Sequence, residues 1–127
     1  MSTHINDLAN NLTPLASALS VAPAAMSSGN GTGVDMELAA NNQMFAILAT
    51  ATIVGTLDVT LEESTDDSTY TAISGASFTQ VTTANDNQVQ VINFQRTKRY
   101  VRSVQTLSGG GSVIGTVIIV GQKSFFQ

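Results

Sequence analysis

Alternating apolar and polar residues predict β-strands from about residue 36 onwards. In GTLDVTLEES, Leu57, Val59 and Leu61 alternate with polar side chains, and QVQVINF repeats the same period of two. Successive side chains of a strand point to opposite faces of a sheet, so this period indicates half-buried strands. MFAILATATI, RYVRSVQTL and VIGTVIIVGQ are also strand-like, because they are rich in β-branched residues.

Clusters of turn-forming residues separate these segments. They are STDDST at 64–69, ANDN at 84–87 and SGGGS at 108–112, and the last predicts a hairpin loop between the final two strands. About seven closely spaced strands with polar turns are typical of an all-β fold. We therefore predict an antiparallel β-sandwich or jelly roll over residues 35–127.

The first 34 residues differ in composition from the rest of the chain. They are rich in Ala, Ser, Asn, Leu and Thr, contain both prolines, and end in the flexible stretch SSGNGTG. Their few large apolar groups cannot build a separate core. We predict that residues 1–34 form an extended N-terminal arm that becomes ordered on another protein surface; a disordered tail is the alternative. The predicted arm contacts are Leu8, Leu12, Leu15, Leu19 and Val21.

Composition narrows the possible partners. Only 11% of the 127 residues are charged, there is no Cys, and the net charge is −4. A surface made mainly of uncharged residues suits packing against other proteins, and the negative charge argues against nucleic acid. The longest apolar stretch, MFAILATATIVG, is too short to span a bilayer, and the first residues do not have the pattern of a signal peptide. We expect a protein that folds in a reducing cytoplasm, without a membrane or nucleic-acid partner.

Few residues offer catalytic chemistry. The only His, His4, lies in the predicted arm, so no hydrolytic triad is expected, and no phosphate-binding loop is present. We predict no enzymatic activity, no catalytic residues and no cofactor. The densest carboxylate group, Glu62, Glu63, Asp66 and Asp67, lacks the spacing of a known calcium loop. A solvated hairpin turn explains it equally well, so no metal site is predicted and calcium binding there stays open.

Positive charge is concentrated in NFQRTKRYVRSVQ. All nine acidic residues precede position 87, and all five basic residues follow position 95. We predict that this basic segment meets the acidic EESTDD turn of another copy, or an acidic partner surface. A solvated strand face that discourages edge-to-edge pairing is the alternative. The predicted interface residues are Arg96, Lys98, Tyr100, Arg102, Glu62, Glu63, Asp66 and Asp67.

The run from LEESTDDSTY to NFQRTKRYVR, with the final VGQK, resembles small head decoration or cement proteins of tailed phages over roughly residues 33–123. This resemblance implies a non-enzymatic virion protein that stabilises the capsid surface. It also implies that the chain is made in the host cytoplasm, binds the major capsid protein, and associates with itself as a homotrimer. Similar hairpin and RYVR patterns occur in sugar-binding β-sandwich modules. A virion-associated adhesion, carbohydrate-binding or tail module is therefore the alternative.

Overall fold

Two antiparallel sheets form the protein in a computed structural model that describes residues 15–37 and 39–123. In chain order the strands of this part are β1 (Leu15–Ala25), β2 (Gly29–Asn30), β3 (Val34–Asp35), β4 (Ala39–Thr50), β5 (Val54–Ser64), β6 (Thr71–Ser77), β7 (Val89–Gln95), β8 (Tyr100–Ser112) and β9 (Ile114–Lys123). One sheet has the order β1-β9-β4-β7. In the other, β8 lies between β5 and the short strands β2 and β3, and β6 follows β5. The predicted all-β antiparallel sandwich is confirmed.

The core lies between the two sheets. On β5, Leu57, Val59 and Leu61 are at most 1% exposed, as their alternation with polar residues predicts. They pack in one cluster with the inward residues of β8, β4 and β9. These inward residues are Val101, Met44, Ala46, Leu48, Val117 and Ile119. In the part of the chain that the structure describes, no helix is long and apolar enough to cross a membrane.

The sandwich begins earlier in the chain than predicted. An arm was predicted for residues 1–34, but from Leu15 onwards this segment belongs to the sandwich. Strand β1 pairs with β9 from Leu15↔Gln122 to Ala25↔Ile114. The physical reason is that β1 satisfies the backbone groups along one side of β9, which would otherwise form an open edge.

Contacts across the sheets also hold this segment. The Ser20 hydroxyl lies 2.9 Å from the Ser103 hydroxyl on β8 of the opposite sheet, and Met26 is buried in the core cluster. Among the predicted arm contacts, Leu15 and Leu19 lie in β1, and Val21 packs against the core. Leu8 and Leu12 lie outside the described residues.

The predicted SGGGS hairpin is wrong. Residues 108–112 continue β8, which pairs with β5 through Thr56↔Ser108 and Val54↔Ser112, and the chain then crosses to the other sheet and forms β9. Gly55 has a φ of 85°, and a Cβ there would contact the carbonyl oxygen of Ser108. The glycines therefore allow a close, irregular approach of β5 and β8.

Two truncations test the role of β1. Deleting residues 2–14 should leave a chain that still folds, because every strand of the described sandwich remains. Deleting residues 2–26 should abolish folding or lower the thermal unfolding midpoint strongly. That deletion removes β1 and the buried Met26, whose loss alone is worth about 2–5 kcal/mol, from a domain with about 5–15 kcal/mol of stability. Circular dichroism melting curves measure both effects. Equal midpoints for the longer deletion and the full chain would show that β1 is dispensable.

Candidate interaction surfaces

Part of the basic segment forms the connection between β7 and β8. Residues 96–99 precede β8, which begins at Tyr100. The Glu63 carboxylate on β5 holds this connection: it accepts hydrogen bonds from Thr97 N at 2.6 Å, Thr97 Oγ1 at 2.9 Å and Lys98 N at 3.1 Å. Glu63 is buried. Its carboxylate, which was predicted at an interface, therefore binds backbone and hydroxyl groups of its own chain.

Arg99 binds two acidic residues of the same chain. Its guanidinium makes a two-point contact with Asp35, through Nε to Oδ1 at 2.9 Å and Nη2 to Oδ2 at 2.7 Å, and Nη2 lies 3.2 Å from Glu37. The hydrogen bonds from Arg99 lower the pKa of Asp35, and the same contact raises the pKa of Arg99. The register places Asp35 opposite Tyr100, so strand pairing brings these charges together.

A second ion pair crosses from β8 to β5. Glu62 lies directly opposite Arg102, and Glu62 Oε1 accepts hydrogen bonds from Arg102 Nε at 3.0 Å and Nη2 at 2.9 Å. The same guanidinium lies 3.9 Å from the centre of the Tyr70 ring, and the Tyr70 hydroxyl donates to Asp67. Burial, followed by this hydrogen bond, raises the pKa of Tyr70. The structure thus joins Arg102 of the basic segment to Glu62 of the acidic turn within one chain, and Tyr70 links Arg102 to Asp67.

The other charged residues near this cluster also contact their own chain. Lys98 Nζ donates to Thr71 Oγ1 at 3.0 Å, and Arg96 Nη1 donates to the Lys98 carbonyl at 3.1 Å. Burial lowers the pKa of Arg96, whose Nε finds no hydrogen-bond partner among the described residues. Asp66 accepts backbone hydrogen bonds from Ser68 and Thr69, which lower its pKa and close the turn.

This arrangement accounts for the concentration of positive charge. Arg99 and Arg102 pair with acidic residues that are distant in sequence, and Glu63 anchors the loop that carries Lys98. We call Glu62, Tyr70, Arg99 and Arg102 with their partners the charged cluster. Its role at an intermolecular interface remains a prediction. Across residues 15–37 and 39–123, no three His, Cys, Asp or Glu side chains lie close enough to hold a metal ion.

The four-stranded sheet presents a second, different surface. Its inward residues alternate with outward ones that are mostly apolar on β7, β4 and β9, with Asn93 and Thr116 as polar members of the same face. We call the apolar members the outer apolar face: Val89, Val91, Phe45, Ile47, Ala49, Ile114, Ile118 and Val120. Val89, Val91 and Ile114 are the most exposed, at 64%, 59% and 61%. At one end, a groove of about 420 Å³ is lined by Ala49, Val89 and Ile114 among others.

Sequence reasoning missed this face, although a signal for it was present. The runs MFAILA and VIIV are apolar without alternation. Such runs are typical of strands that are covered on both faces. The outer face of the five-stranded sheet differs, because Arg102, Glu62 and Asp58 lie there. The two outer faces of the sandwich are therefore chemically opposite.

Comparisons with known proteins show the fold. No protein-family model matches the chain, and no curated protein matches it. Among solved structures, PBSX exported protein XepA aligns with a TM-score of 0.59 and 15% identity. The alignment covers 87% of this chain and 38% of XepA, so the chain spans well under half of XepA. At this identity, the similarity establishes a shared β-sandwich fold.

Two viral structures are weaker matches. A structure of infectious bursal disease virus Gx strain has a TM-score of 0.38 and 11% identity, over 88% of this chain and 32% of the other. Tobacco streak virus coat protein has a TM-score of 0.36 and 8% identity, over 90% of each chain. Both TM-scores are too low to establish a shared fold.

A charge exchange tests the ion pair between β8 and β5. Arg102→Glu should lower the free energy of unfolding by about 1–3 kcal/mol, because it removes charge-assisted hydrogen bonds and places like charges opposite each other. Adding Glu62→Arg should restore part of the loss. Urea unfolding measures each variant. Arg99→Glu serves as a comparison and should cost less, because its side chain is 41% exposed and is screened by solvent. Failure of the second substitution to restore any stability would contradict a direct pairing.

Proposed function

We propose that this protein is a non-enzymatic structural protein of a virus particle that decorates and stabilises a phage capsid through protein–protein contacts. The outer apolar face carries this proposal. It groups eight uncharged, mostly large side chains on one side of a sheet, with Val89, Val91 and Ile114 more than half exposed. Val120 is buried and the other four residues are half-buried, so the exposed part of this face consists of these three side chains. Exposed apolar surface of this kind marks a site of protein contact. Its composition, apolar and without charge, resembles the buried centre of interfaces.

The sequence resemblance supports this role, and the fold comparison supports the β-sandwich architecture. XepA, whose fold this chain shares, is named as an exported protein of PBSX. The LEES, RYVR and VGQK segments resemble phage head decoration proteins. The partners that follow from this role are the major capsid protein and further copies of the chain, as a homotrimer on the capsid surface. Closed symmetry is the usual way for identical subunits to assemble.

A sugar-binding or tail module is the less supported function. Sugar-binding sites commonly present open aromatic rings to the ligand. Here the Arg102 guanidinium covers one face of the Tyr70 ring, and Arg99 lies 5.0 Å from the centre of the Tyr100 ring. These contacts favour a stabilising role for both tyrosines within the charged cluster.

Cryo-electron microscopy of particles that carry the protein tests the proposal. We expect many copies distributed over the head, with the outer apolar face against the capsid shell or a neighbouring copy. Copies confined to the tail tip would contradict the capsid role and favour the tail alternative. If the subunit binds the head but its outer apolar face remains in solvent, the proposed location is correct and the proposed contact surface is wrong.

A further inference from the structure

The edge strands of the two sheets differ in how they are protected against pairing with another chain. β1 contains Pro23 and two register shifts against β9. β6 has a register shift against β5 and contains Gly75 with a φ of 74°. β2 and β3 are two residues each. Prolines, bulges and short length are the usual means by which sheet edges avoid unwanted pairing.

β7 has none of these protections. It pairs with β4 through seven consecutive positions, from Gln43↔Gln95 to Ala49↔Val89, without a register shift. No Pro, Gly or charged residue occurs between Asp86 and Arg96. A regular, uncharged edge strand with outward valines is a template for another strand. The other three sheet edges, formed by β1, by β6 and by β2 with β3, are protected and β7 is not. This difference indicates that β7 is available to pair with a partner strand.

The strand geometry identifies the backbone groups available to that partner. Thr50 N donates to the Gln88 carbonyl at 3.1 Å, so the backbone groups of Gln88 face β4. In an antiparallel pair, the direction alternates at each residue. The N–H and C=O groups of Val89, Val91 and Asn93 therefore face away from β4. Within the described part of the chain, no strand lies beyond β7 in this sheet.

We propose that β7 pairs antiparallel with β7 of a second copy, across a two-fold axis at Val91. This register places Val91 opposite its equivalent and Val89 opposite Asn93, so that all three outward-bonding residues of each copy find backbone partners. The two four-stranded sheets then become one continuous sheet, and the exposed Val91 side chains of both copies lie side by side. Because the strand is uncharged, two copies bring no like charges together when they pair, and the strand offers no electrostatic gain to a charged partner.

The size of the contact sets its strength. Five residues of each strand overlap, and such a contact is smaller than the about 800 Å² per partner of standard interfaces. The dimer is therefore expected to dissociate on dilution. The two-fold contact is independent of the proposed virion role. Because an isologous contact closes at two copies, it is also distinct from the proposed trimer contact.

Sedimentation equilibrium of the full chain tests the pairing. The wild-type protein should approach twice the chain mass of 13.2 kDa as concentration rises. Val91→Lys should remain monomeric at the same concentrations, because its charge would lie at the two-fold axis, while its circular dichroism spectrum stays that of the wild type. Val54→Lys is the matched control, since Val54 is 57% exposed on β5 of the other sheet, and this variant should dimerise normally. A wild-type monomer at all concentrations, or equal dimerisation of both variants, would overturn the proposal.

Cysteine crosslinking tests the position of the axis independently of any effect of Lys on folding. The chain has no Cys, so a single introduced thiol reports only its own contact. Opposite residues in a hydrogen-bonded antiparallel pair have Cα atoms about 5.5 Å apart, which suits a disulfide. Val91→Cys should form a covalent dimer under mild oxidation, and Val54→Cys should not. Absence of the Val91→Cys dimer, or equal crosslinking of both variants, would contradict a two-fold axis at Val91.

Discussion

The structure depends on one constraint: the four-stranded sheet carries apolar side chains on both of its faces. β4 and β9 send Met44, Leu48 and Ile119 into the core, where β5 and β8 cover them. Their alternate residues, including Ile47 and Ile118, lie on the opposite face. Removing apolar surface from water is worth roughly 25 cal/mol per Å². The fold alone leaves this face only partly covered, so a partner that buried it would gain this free energy.

The outer face of the five-stranded sheet is charged instead of apolar. Its charges pair within the chain: Arg102 with Glu62 across neighbouring strands, and Arg99 with Asp35. Pairing across strands helps to fix their register, because a slip of one residue would move each charge to the wrong face. The sandwich thus combines a polar, internally paired outer face with an apolar outer face that suits protein contacts. The paired charges stabilise the fold within one chain, so the proposed protein contacts fall on the other outer face.

Local alternation predicted the buried face of β5 but not that of β7, where the alternating valines of QVQVINF lie outside and Ile92 and Phe94 face the core. Leu57, Val59 and Leu61 were placed on one buried face because a half-buried strand has period two. Strand β1 was missed because LASALSVAPAA contains Pro23 and little alternation, and its partner β9 lies about a hundred positions further along the chain. For the same reason, no local pattern showed that Arg99 would meet Asp35. The SGGGS segment was misassigned because glycines allow both a hairpin and the irregular pairing that β8 makes with β5.

Hydrogen exchange at β7 tests most directly whether the edge of the four-stranded sheet supplies the contact between copies. The amides of Val89, Val91 and Asn93 face away from β4, whereas those of Gln90 and Ile92 face it. In dilute protein, the first set should exchange fast and the second slowly. At concentrations at which the dimer forms, the first set should become protected, with little change at Arg99 and Arg102. Fast exchange of Val89 and Val91 at those concentrations, together with new protection around Arg99 and Arg102, would contradict pairing through β7 and place the contact between copies on the charged cluster.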